Sequence, residues 1–162
     1  MTNAEPAHAG VHFPPPLLYV IPFAFGLLLH RWHRLTIVPG TSPALVRAVE
    51  IAGVALMLGW ALGTATAFGR FLKARTTILP FRPSSSLVTT GPYRFTRNPM
   101  YVSLAALYMG GALALNVLWP LLLLPVVLVV VDRAVIRREE RYLTHAFGQD
   151  YEAYRSRVPR WL

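Results

Sequence analysis

Four apolar runs separated by polar turns organise the chain. The first, about Leu17 to Leu29, enters through Pro14-Pro15-Pro16 and is short for a membrane span of roughly 20 residues. Phe13, His30 and Trp32 extend it to about 14–31, and Pro22 is placed to kink it. The second covers about 44–71, with Arg47 and Glu50 paired three apart near its start and an uninterrupted apolar stretch from Ile51 to Phe68. Its Gly59 and Gly63, extended by Ala55, form a small-xxx-small pattern that lets another helix approach closely, so this helix is expected to pack inside the bundle. The third runs over 99–115 and the fourth over 117–136, with early prolines at 120 and 125. Only Asn116 lies between them, which predicts a tight antiparallel hairpin. The fourth helix should continue out of the hydrocarbon to about Phe147 and stop at Gly148. A short helix from Asp150 to Arg155 and a break at Pro159 complete the pattern. The expected architecture is all-α and membrane-embedded, a single domain over 1–162 with four spans and a C-terminal helical region.

Composition agrees with that pattern. At 54% hydrophobic and 14% charged residues the chain is too apolar for an ordinary soluble domain, where about a quarter of residues are charged. There is no cysteine, so disulfides and thiolate metal sites are excluded. His30 and His33, interleaved with Arg31 and Arg34, read as interfacial anchors and not as metal ligands, and no metal site is expected. A net charge of +9 would suit nucleic acid only on a soluble fold; here the basic residues flank the spans, and no nucleic-acid partner is expected. Thirteen of the 16 basic residues lie in 70–98 or after Val131. The positive-inside rule puts both regions in the cytoplasm, at the cytoplasmic (inner) membrane. Residues 1–12 read as a loose polar tail, and the long 70–98 connection, with Arg75, Arg82 and Ser84-Ser85-Ser86, has the length of a functional loop.

Candidate chemistry concentrates where this loop meets the third span. Gly91-Pro92-Tyr93-Arg94-Phe95-Thr96-Arg97-Asn98-Pro99-Met100-Tyr101 holds a turn, two arginines, two tyrosines and a helix start. Asn98 and Pro99 are a favoured N-cap and first helical residue. Arg94 and Arg97 oppose the helix macrodipole there unless an anion sits among them, be it a ligand or an internal carboxylate. On the fourth helix, Glu140 has Arg137 three residues before it, so a surface ion pair accounts for it. Glu139 sits among Val135, Ile136, Tyr142 and Leu143, with Asp132 one heptad earlier on the same face, so it must point into a bundle, cavity or ligand. Of the later aromatics, Tyr154 and Trp161 are expected to pack on the membrane surface, while Phe147 or Tyr151 could close over a planar or cationic ligand.

Leu87-Val88-Thr89-Thr90-Gly91-Pro92-Tyr93, Arg97-Asn98-Pro99-Met100-Tyr101, Glu139-Glu140 and Phe147-Gly148 with Tyr151 resemble, in order and spacing, the isoprenylcysteine carboxyl methyltransferase and phospholipid methyltransferase family of integral-membrane enzymes. The resemblance covers about the last 80 residues. It implies S-adenosylmethionine-dependent methyl transfer to a lipophilic or membrane-associated acceptor, with cofactor arriving from the cytoplasm and substrate from the bilayer. Val88, Thr90, Gly91, Tyr93, Arg97, Asn98, Tyr101, Glu139 and Glu140 would hold the cofactor, within a part spanning about 84–162, and Arg97 and Glu140 would be catalytic. Where many relatives carry histidine this chain has Asn98, which hydrogen-bonds a carboxylate but cannot transfer a proton near neutral pH. The alternatives are a nicotinamide-dependent membrane reductase of related fold and a non-enzymatic membrane scaffold.

Overall fold

The computed structural model describes residues 14–74 and 87–162; the N-terminal tail, Phe13, Arg75, Arg82 and the serine run lie outside the described residues. The elements are α1 (Leu17–Trp32), α2 (Pro43–Ala74), a 3-10 turn (Gly91–Arg94), α3 (Pro99–Ala114), α4 (Leu118–Val131), a π-turn (Asp132–Ile136), α5 (Arg137–Phe147) and α6 (Gln149–Arg155). No strand forms among the described residues.

Among the described residues two helical stretches, Pro43–Thr66 and Leu118–Phe147, are long and apolar enough to cross a membrane. The α1 and α3 helices have 16 residues each, or about 24 Å at 1.5 Å per residue. Ile21, Leu28, Leu58, Leu62, Leu122 and Val126 point outward from α1, α2 and α4 and are exposed. Water would not tolerate so wide an apolar surface, whereas lipid chains solvate it. This is a membrane protein. The uninterrupted apolar run of α4 ends at Val131; charged residues enter from Asp132 onward.

The α3–α4 hairpin is the centre of the molecule. Asn116 makes the predicted reversal in the left-handed region, at φ 50°. Its side chain also pairs with the loop after α1, accepting from the Val38 amide and donating to the Val38 carbonyl, both at 2.9 Å. Nearby, the Trp119 indole donates to the His33 carbonyl at 2.8 Å. The first loop and the hairpin turn therefore close one end of the bundle.

The α2 helix runs along α3 at the periphery, contrary to the expectation that it packs inside. Its outer face, Ala55 and Gly59 included, is exposed, and a Cβ on Gly59 would meet nothing within 4 Å. The close approach is made by another glycine pair. A Cβ on Gly53 would lie 2.6 Å from the Gly110 carbonyl oxygen, and one on Gly110 would lie 2.7 Å from the Gly53 carbonyl oxygen. Gly63 contributes a lesser contact with Ser103 at 2.8 Å. Helix phase explains the difference: Gly53 and Gly63 turn toward α3, and Gly59 turns away.

At the opposite end, the α4 helix passes through its π-turn into α5 and stops at Gly148, φ 50°, as the sequence predicts. The chain then folds back through α6. Tyr93, Tyr151, Tyr154 and Val158 form a second buried cluster, with Val88 and Phe147 packed against it. Tyr154 is thus buried, its hydroxyl donating to the Tyr93 carbonyl at 2.8 Å. The membrane-surface placement expected for Tyr154 is incorrect, because its polar tip finds a backbone partner inside. Trp161 likewise packs against the hairpin core.

Candidate active site

The site forms where the Gly91–Tyr101 stretch, the α5 helix and a C-terminal strap, residues 156–162, meet. Gly91 sits at φ 66°, a conformation that disfavours any side chain, and starts the 3-10 turn that buries Tyr93. Pro99 then starts α3. Asn98 holds the N-cap position but makes no capping bond with its side chain. Its amide nitrogen instead donates to the Arg160 carbonyl at 2.9 Å, and the Thr96 hydroxyl donates to the same oxygen at 3.0 Å. The Arg97 amide reaches the Pro159 carbonyl at 2.9 Å. The three residues before α3 therefore bind the last turn of the chain.

That strap delivers Arg160 to the carboxylates. Its guanidinium donates to both Glu140 oxygens, at 3.0 and 2.5 Å, and to Asp132 Oδ1 at 3.1 Å. From the other side Arg97 Nη1 lies 2.7 Å from Glu140 Oε1 and 3.5 Å from the Tyr151 hydroxyl. Glu140 is buried between two arginines that come from opposite ends of the site, a charge-assisted arrangement stronger than a neutral contact. The anion anticipated among the α3 arginines is therefore internal, and it is Glu140. Arg94 is exposed and takes no part in this cluster.

The surface pair expected between Glu140 and Arg137 does not form. Arg137 Nε binds Asp132 Oδ2 at 2.8 Å instead. The π-turn is the cause: one extra residue in the helical circuit rotates everything after it by about 100°. Asp132 consequently aligns with Glu140, both on Arg160, and not with Glu139 as an unbroken heptad would have it. Glu139 turns toward α3, where it accepts a 2.8 Å hydrogen bond from the Tyr101 hydroxyl. Burial pushes its carboxyl up to about 7; the Tyr101 bond acts against this and the neighbouring Glu140 charge adds to it. Its second oxygen has no hydrogen-bond partner among the described residues. The buried Arg97 Nε also has none.

Of the residues singled out by sequence, Arg97, Glu140 and Tyr151 meet in one group, and Tyr101 and Glu139 in another beside it. Tyr93 supports them from the aromatic cluster, and burial raises its hydroxyl pKa. Val88 packs on that cluster, Thr90 is exposed, and Asn98 directs its amide group to the strap. Arg160, Thr96 and the pairing of Asp132 were not anticipated. Two acidic residues on a mostly apolar helix signalled that a cation was needed. The break at Pro159 stands next to Arg160, but nothing local says where the residues after it will lie.

The sequence profile of the phospholipid methyltransferase family matches residues 49–150. The chain belongs to this family. It is 38% identical over 73 residues to the protein-S-isoprenylcysteine O-methyltransferase of Schizosaccharomyces pombe, a match covering 45% of this chain and 31% of that protein. It is 35% identical over 63 residues to an uncharacterized protein of Haemophilus influenzae, covering 39% of this chain and 100% of that one. No solved structure matches. The family match runs from within α2 to the start of α6, so it includes the glycine contact, the hairpin, the π-turn and both glutamates, while Arg160 lies beyond it.

Proposed function

We propose that this chain is an S-adenosylmethionine-dependent methyltransferase acting on a lipophilic or membrane-associated acceptor. The observation that carries the reading is the pairing of Arg97 with Glu140 beside Tyr101 with Glu139, at the charged end of the α3–α4 hairpin in a phospholipid methyltransferase family member. When bound, S-adenosylmethionine supplies an electrophilic methyl carbon on a sulfonium, so the protein has chiefly to bind, orient and exclude water.

The unpartnered polar groups suit that zwitterion. Arg97 Nε is a buried donor left over after the Glu140 pair, fit for a carboxylate, and Glu139 has one oxygen left over after Tyr101, fit for an ammonium or a ribose hydroxyl. Glu140 holds Arg97 in place, and Tyr93 and Tyr151 form the aromatic floor under it. Val88, Thr90 and Gly91 shape the approach, and Asn98, its side-chain nitrogen on the Arg160 carbonyl, adjoins Arg97 at the same charged end. Arg97 and Glu140 are the pair assigned to catalysis. Residues 84–162 would form the cofactor-binding part of a single 1–162 domain.

In the membrane, α1 to α4 would be four spans, with the strap, α5 and α6 in the cytoplasm under the positive-inside rule. The contact between the first loop and the hairpin turn supports this, since it groups those two loops at the end away from the charged site. An apolar acceptor then reaches the site sideways through the bilayer, and the cofactor reaches it from the cytoplasmic (inner) side.

Calorimetric titration of detergent-purified protein with S-adenosylhomocysteine, with NADPH as control, tests the reading. Micromolar binding of the first and not the second is expected. Binding of NADPH alone would replace it with a nicotinamide-dependent reductase, and binding of neither in folded protein would favour a membrane scaffold.

A further inference from the structure

A second polar feature lies on the outer side of the strap. Arg133, Arg137, Arg141, Arg155 and Arg160 surround an open cleft of about 480 Å³, with Glu140 at its inner wall. Five arginines and one glutamate line it, while Asp132 and Glu152 beside it pair with three of the five. Several are already engaged elsewhere: Arg137 with Asp132, Arg155 with Glu152 at 3.3 Å, and Arg160 with Asp132 and Glu140. Among the described residues Arg133 is exposed with no partner, and Arg141 is exposed with one bond, to the Arg137 carbonyl at 3.3 Å. Positive-inside topology requires basic residues near the span ends, but it does not require five of them to converge on one concavity. Asp132, Glu140 and Glu152 offset Arg137, Arg155 and Arg160, but Arg133 and Arg141 are left facing the cleft without a counter-charge among the described residues, and planar guanidinium groups fit phosphate oxygens in pairs.

We infer that this cleft is a phosphate-binding site and that it takes the anionic headgroup of a lipid from the adjoining leaflet. Depth argues for a lipid source. Arg133 and Arg137 stand at the end of the apolar helix, the level at which a bilayer's phosphates lie, and Thr144 adds a hydroxyl farther out. The site is distinct from the groups proposed to hold the cofactor. Arg97, Tyr101 and Glu139 do not line it, and Glu140 with Arg160 forms the wall between the two.

The experiment uses the full chain in a phosphate-free maltoside detergent at low salt. It is titrated with dioctanoyl phosphatidylglycerol, dioctanoyl phosphatidylcholine and inorganic phosphate. Saturable binding of phosphatidylglycerol is expected, at least about tenfold tighter than of phosphatidylcholine and weakened about tenfold in R133Q/R141Q. The single variant R133Q, carrying an unchanged melting profile, should lose an intermediate amount and guards against a folding artefact. Inorganic phosphate binding as tightly as phosphatidylglycerol, with the same dependence on Arg133 and Arg141, would keep the anion site but overturn the lipid as its source. Equal binding of the two lipids, or no change in either variant, would overturn the site. Displacement of phosphatidylglycerol by S-adenosylhomocysteine would overturn it as well, because the cleft would then belong to the cofactor pocket; failure of S-adenosylhomocysteine to bind at all would bear only on the methyltransferase reading.

Discussion

The Tyr101 hydroxyl donates to Glu139 across 2.8 Å, joining the first turn of α3 to the helix beyond the π-turn. One residue farther on, Glu140 faces the other way and is held by Arg97 and Arg160. Two adjacent carboxylates thus occupy different environments: one accepts a single hydrogen bond from a tyrosine, and the other is clamped by two arginines.

That division separates an effect on stability from an effect on binding. Glu140→Gln leaves two arginines short of their counter-charge in a buried setting and should destabilise the protein by about 2–4 kcal/mol. Glu139→Gln should cost less than about 1 kcal/mol in stability and act mainly on S-adenosylhomocysteine affinity. Thermal melting in detergent, paired with calorimetry, separates the two, and equal melting shifts would remove the distinction.

Tyr101→Phe deletes the donor to Glu139 and leaves the ring in place. The Tyr101 carbonyl still accepts from Tyr19 at 3.1 Å, so the α1–α3 contact persists. A loss of about 1–2 kcal/mol is expected, with weaker S-adenosylhomocysteine binding. An unaltered affinity would show that the bond serves packing alone.

The Glu139 carboxyl, raised from 4.5 to about 7, binds a proton in the folded state over a window in which the unfolded chain has released it. Its contribution to stability is therefore greatest below about 4.5 and falls as pH rises toward about 7. Wild type should lose stability relative to Glu139→Gln across that window. Melting curves of both proteins between these limits would decide it, and parallel curves would contradict a raised pKa.

Gly53→Ala drives a methyl group into the α3 backbone and should cost about 1–3 kcal/mol. Gly59→Ala meets open space and should be neutral or slightly stabilising, since alanine favours helix over glycine by about 1 kcal/mol. The contrast is measured by melting. A larger effect at Gly59 would mean that another helix covers it in the membrane.

Removing residues 159–162 takes away Arg160 together with the carbonyls that hold Arg97, Thr96 and Asn98. The truncated chain should show faster proteolysis and hydrogen exchange over 91–101 than full-length protein. Arg160→Lys, which keeps the carbonyl contacts and loses the bidentate grip on Glu140, should fall between. Identical exchange in all three would show that the strap does not hold the site.

Much of the fold was legible because membrane helices announce themselves locally. Four apolar runs, Asn116 between two of them and Gly148 at the end of the fourth suffice to place the helices, since backbone groups in lipid must be satisfied within each segment. The Arg97 and Glu139-Glu140 regions stand out for the same reason: charge beside apolar sequence is conspicuous. How these residues pair was not legible. An assumed straight helix put Asp132 with Glu139 and Arg137 with Glu140, and a single extra residue in the π-turn exchanged both assignments.

The sequence by itself determined the membrane setting, the helices, the hairpin and the charged stretches that bound the site, because each follows from local periodicity, turn chemistry and the cost of charge in hydrocarbon. Only the tertiary structure decided that Gly53 and not Gly59 meets α3, that Glu140 is shared by Arg97 and Arg160, and that the chain's last turn closes over Asn98. Those outcomes depend on helix phase and on contacts between residues some 60 positions apart, and no local pattern encodes either.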